Sequence, residues 1–85
     1  MGFYLEGYYI GFETREFKND DGSVDIRHSI NVATGNLAYR CYMADNFDPE
    51  DLEGLTPGTL IKISCRVYVG KNGKLSVIDA QIVDL

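Results

Sequence analysis

The chain has 85 residues, 45% of them hydrophobic and 25% charged, with a net charge of −5. A chain this short buries only about 60–65% of its unfolded surface, so its stability is marginal and dimerisation would add to it. The acidic balance argues against bulk attraction to a polyanion and leaves room for a local basic face.

Turn signals cut the sequence into short pieces, as in an all-β domain. The first runs from about Phe3 to Phe17 and is rich in Tyr and Phe, which favour strands. Gly7 and Gly11 interrupt it, and glycines inside a strand mark bulges or tight bends. Lys18-Asn19-Asp20-Asp21-Gly22-Ser23 then reads as a hairpin turn, since Gly tolerates positive φ. In the second strand Val24, Ile26, His28, Ile30 and Val32 alternate with Asp25, Arg27, Ser29 and Asn31. This period of two predicts one apolar and one polar face. Thr34-Gly35-Asn36 is another tight turn. The third strand spans Leu37–Met43, with Leu37, Tyr39, Cys41 and Met43 on one face and Ala38, Arg40 and Tyr42 on the other.

The stretch from Asp45 to Gly54 is the helical candidate. Asp48 suits the N-cap, Pro49 the first helical position, and Gly54 the stop after one or two turns. Asp45, Asp48, Glu50, Asp51 and Glu53 concentrate the acidity of the chain here. Leu55-Thr56-Pro57-Gly58 leads into the fourth strand. There Ile61, Ile63, Cys65, Val67 and Val69 oppose Leu60, Lys62, Ser64, Arg66 and Tyr68. Gly70-Lys71-Asn72-Gly73 is a hairpin turn, and the fifth strand runs from Lys74 to about Val83. Its alternation breaks at Ile78-Asp79, which predicts a bulge. Residues 1–85 thus read as one all-β domain of five strands with a short helix or loop between the third and fourth. That is the element order of the OB-fold, a partly open Greek-key barrel.

Catalytic signatures are missing: no GxSxG, P-loop or HExxH occurs. No cofactor or metal is expected. Cys41, Cys65 and the lone His28 lack zinc-ligand spacing, and the acidic stretch lacks the EF-hand pattern. His28 is expected to be half-buried with a satisfied ring nitrogen. The cysteines lie in apolar runs and read as buried free thiols, with a disulfide or reactive chemistry as the alternatives. The N-terminal run lacks a basic region and carries Glu6, unlike a signal peptide, and no apolar run approaches the roughly 20 residues that cross a bilayer. The expected location is the cytoplasm, without membrane attachment.

The pattern that remains is basic and aromatic. Arg15, Arg27, Arg40, Tyr42, Lys62, Arg66 and Tyr68 are predicted on the outward faces of the strands, with Lys18 in the first hairpin and Lys71 and Lys74 in the last. Cations that track phosphates, interleaved with rings that stack on bases, suit single-stranded nucleic acid. The plainer reading is an ordinary polar barrel exterior.

Pro57-Gly58, ten alternating residues, Tyr68-Val69-Gly70-Lys71-Asn72-Gly73-Lys74-Leu75 and the following Ile78-Asp79 resemble the C-terminal half of the filamentous-phage single-stranded-DNA-binding proteins. Phe12-Glu13-Thr14-Arg15 before a Gly-containing hairpin resembles the start of that family's DNA-binding wing. The resemblance touches both ends of the chain and skips the middle. It implies an OB-fold homodimer that packs about a dyad through the turn Gly70-Lys71-Asn72-Gly73, with Arg15 as a phosphate contact. The sequence departs from the family at three places: Asn72 replaces an aromatic tip, the wing reads Lys18-Asn19-Asp20-Asp21, and Ala80 replaces an Arg.

Two functions follow as expectations. One is a non-catalytic, sequence-tolerant binder of single-stranded DNA or RNA, a homodimer from a phage or other mobile element. The other is a barrel of the same shape used as a protein-interaction or assembly module, which the acidic connection and weakly basic wing favour.

Overall fold

In the computed structural model, which describes residues 2–84, the strands are β1 (Phe3–Lys18), β2 (Val24–Thr34), β3 (Leu37–Met43), β4 (Leu60–Val69) and β5 (Leu75–Asp84). They close into a barrel in the order β1-β2-β3-β5-β4. Closure gives each strand a neighbour on both sides over part of its length. All pairings are antiparallel except β3 with β5. One 3₁₀ turn, Pro49–Leu52, stands between β3 and β4. The expected strands, their order in the chain and the short helix are all present.

The turns explain how the sequence fixes these pairings. The β1–β2 and β4–β5 connections share one geometry: a four-residue turn closed by Gly22 N–H to the Asn19 carbonyl and by Gly73 N–H to the Gly70 carbonyl. In both, the closing glycine adopts positive φ, 89° at Gly22 and 80° at Gly73, as a hairpin with a glycine bulge requires. The 3₁₀ turn starts where expected, since the Asp48 carboxylate accepts from Glu50 N–H at 3.0 Å.

β1 is long because it serves two neighbours. Its first half pairs with β4 from Phe3 to Tyr8, and its second half pairs with β2. The register slips between Tyr9 and Gly11, which is the bulge that the interior glycine predicted. Gly7 has a different role: a Cβ there would overlap the Ala33 carbonyl oxygen and come within 2.8 Å of Val32 Cγ1. On β5, Asp79 and Ala80 oppose the single residue Cys65, and Asp79 takes φ of 52°. The predicted bulge is therefore present at that point.

The core holds Ile30 and Val32 of β2, Cys41 of β3, Ile61 and Ile63 of β4 and Ala80 of β5, with Leu52 contributed by the 3₁₀ turn. Both cysteines are buried and free. Burial pushes the Cys41 thiol up to about 12 and raises that of Cys65 as well.

The alternation in β2 and β4 predicts one apolar face along each strand, and the structure buries only part of it. The apolar set is buried only where a third strand covers it. Val24 and Ile26 are 48% and 60% exposed, and Val69 is 60% exposed. The reason is length. β2 pairs with β3 only from Ser29 onward, and β4 pairs with β1 only as far as Cys65. The distal segments are two-stranded arms that reach past the barrel.

Candidate nucleic-acid interface

Residues paired directly across antiparallel strands share a face. From the register, one outward wall carries Glu13, Arg15 and Phe17 of β1, then Asp25, Arg27 and Ser29 of β2, then Arg40 and Tyr42 of β3. Arg15 stands directly opposite Arg27, and Ser29 lies between Glu13 and Tyr42. Flanked in this way, Ser29 is only 2% exposed although it faces outward. The Arg27 guanidinium lies 5.0 Å from the centre of the Phe17 ring. Arg15 Nε is 3.1 Å from one oxygen of Glu13, and Arg40 Nη2 is 3.5 Å from the other.

The wall continues into a groove of about 370 Å³. Arg27 and Tyr42 belong to both. The groove is lined further by Ile26 and His28 of the first arm, by Met43 to Asp45 and Phe47 after β3, and by Ile78 and Asp79 at the β5 bulge. His28 is half-buried as expected. Its ring packs 5.7 Å from both Phe12 and Phe47, and its Nδ1 lies 3.1 Å from Thr14 Oγ1. This cluster ties the first arm to the barrel.

The remaining candidates lie elsewhere. Lys62 sits on β4 with its ammonium 5.0 Å from the Tyr4 ring. Arg66 reaches Asp79 at 3.4 Å across the second arm. Tyr68, 58% exposed, stands further along the same strand. β4 bonds to β1 and β5, and neither to β2 nor to β3. Lys62 and Tyr68 thus belong to a second wall, while the salt bridge to Asp79 brings Arg66 to the rim of the groove. Lys18 pairs with Val24, which puts it on the opposite side of the first arm from Arg15 and Arg27. Gly70, Lys71, Asn72 and Gly73 form the tip of the second arm, where Asn72 Oδ1 accepts from Lys74 N–H at 3.1 Å. At the tip of the first arm the Ser23 hydroxyl and N–H donate to Asp21 and hold its carboxyl below the ordinary range.

Sequence reading missed Glu13, Phe17 and Phe47 as members of this surface. Glu13, Arg15 and Phe17 are spaced by two, so strand parity was the signal that links them. Phe47 carried none, because it reaches the site from an irregular connection. Among the described residues, no group of three or more His, Cys, Asp and Glu side chains gathers to hold a metal.

No family model matches the chain. No curated protein matches it either. Among solved structures, the barrel is similar to a mitochondrial single-stranded DNA binding protein from S. cerevisiae, with a TM-score of 0.52 and 14% identity over 99% of this chain and 96% of that one. At that identity the likeness concerns the fold, and the fold is that of an OB barrel.

Proposed function

We propose that this protein binds single-stranded DNA, or RNA by the same chemistry, without catalysis and with little sequence preference. The observation that carries this reading is the wall on β1, β2 and β3. It gathers Arg15, Arg27 and Arg40 with Phe17 and Tyr42, on a chain whose net charge is −5. OB barrels take oligonucleotides on the β2–β3 face and on the loops that join β1 to β2 and β4 to β5. The groove lies at that place, between the first arm and the β5 bulge. Guanidinium groups would follow the phosphates while rings stack on bases, each stacked base adding about 1–3 kcal/mol. The shared fold of the yeast mitochondrial single-stranded DNA binding protein supports the same reading.

The proposed working form is a homodimer in a reducing cytoplasm, serving a phage or other mobile element. The family resemblance supports the origin and the dyad at the Gly70–Gly73 turn. The second arm supports the dimer further, because Val69 and Leu75 are 60% and 56% exposed there. These same exposed residues, with the acidic connection, favour the second reading, a protein-interaction module.

Fluorescence anisotropy with single- and double-stranded oligonucleotides at two salt concentrations tests the function. Three arginine contacts to a single strand predict a slope of about −2 in log affinity against log salt. Arg27→Ala should weaken binding more than Lys62→Ala. An absence of binding to every oligonucleotide at low salt would reject the proposal.

A further inference from the structure

The arginine wall contains its own anion. Glu13 lies at its centre, and its two carboxylate oxygens go to different arginines: Arg15 at 3.1 Å and Arg40 at 3.5 Å. A carboxylate that spans two guanidinium groups presents paired anionic oxygens, as a phosphodiester does. The third arginine, Arg27, sits directly opposite Arg15 and has no acidic partner within salt-bridge distance among the described residues. Like charges directly opposed across strands are unfavourable, so the pair favours a shared anion.

We infer that Glu13 fills a phosphate seat between Arg15 and Arg40, and that a bound strand displaces it. This deepens the proposed function and rests on it. Exposure makes the displacement feasible. Glu13 is 36% exposed, Arg15 45% and Arg40 40%, so both ion pairs are wet and weak. The strand backbone holds Glu13 in register between Ser29 and its neighbours, which leaves only the side chain to swing aside. The wall carries three cations against Glu13 and Asp25. Removing the Glu13 charge doubles its net positive charge from one to two. Glu13 therefore limits how tightly the surface holds a polyanion.

The test compares the parent protein with Glu13→Gln on a fluorescein-labelled oligothymidylate. The expected result is affinity about two- to fivefold higher at low salt, the size of an exposed ion pair's effect. The salt slope should stay at about −2 in both proteins, because the bound strand meets the same three arginines. Arg40→Ala should cost more in the Glu13→Gln background than in the parent, since neighbouring groups do not add. Thermal melts check that each variant folds, and Glu13→Thr, a good strand former, repeats the charge removal if Glu13→Gln does not. Parent binding with no gain in either variant, or an Arg40→Ala effect equal in both backgrounds, overturns the inference and leaves the function standing. Binding by the variant but not by the parent also overturns it, because no strand then displaces Glu13. An absence of binding by both removes the function and the inference together.

Discussion

The closed barrel and its two arms are built from the same sequence pattern, and they use it differently. Ile63 in β4 and Ile26 in β2 both occupy the apolar phase of a period-two strand. Ile63 is 0% exposed and Ile26 is 60% exposed. The difference is the number of neighbouring strands. Around Ile63, β4 lies between β1 and β5, whereas around Ile26 β2 pairs with β1 alone. Alternation thus decides which side a residue faces, and the extent of pairing decides whether that side is dry. In this molecule the unburied remainder is also where the candidate interface lies.

The largest expected effect follows from breaking the barrel side of this contrast. Ile63→Ala should lower unfolding free energy by about 2–5 kcal/mol in urea titrations, the cost of emptying a packed site. A smaller loss would mean that the barrel is looser than its burial indicates.

The next concerns Cys41, which is 0% exposed beside Ile30 and Val77 in register. Burial raises its thiol from the usual value of 9.0 to about 12. The folded state therefore keeps its proton where the unfolded chain loses it. Stability is intact below pH 9 and falls as pH rises from 9.0 towards about 12. The slope from this one group is at most about 1.4 kcal/mol per pH unit. Cys41→Ala should flatten the decline relative to the parent in denaturant midpoints measured across that window. Parallel curves for the two proteins would place the alkaline sensitivity elsewhere.

The smallest effect is expected on the arm. Ile26→Thr keeps the β-branched shape and should change stability by no more than about 0.5 kcal/mol, as for an exposed site. Since Ile26 lines the groove beside Arg27, the same variant should alter oligonucleotide affinity. A large stability loss with unchanged affinity would show that something covers this arm in solution.

Much of the fold was legible from local chemistry. Gly22 and Gly73 mark the hairpins because positive φ suits glycine, Asp48 and Pro49 mark the 3₁₀ turn, and the broken alternation at Ile78-Asp79 marks the bulge. The candidate site was legible in part. Strand parity puts its residues on outward positions, and the pairing of the strands divides them between two walls. Arg27 and Lys62 look alike in sequence, and barrel closure puts them on different strand neighbourhoods. Glu13 shares its strand parity with Arg15 but carries no local signal of Arg40, which reaches it only across the closed sheet.

By itself the sequence determined the strands, their turns, the side each residue faces and the gathering of acids between β3 and β4. Each of these depends on forces that act over a few residues. Tertiary structure alone decided three things: the parallel pairing of β3 with β5, the point at which each strand runs out of neighbours, and the meeting of Arg15 and Arg40 at Glu13. These are set by how the chain closes into a ring, which joins residues far apart in sequence and leaves no local trace.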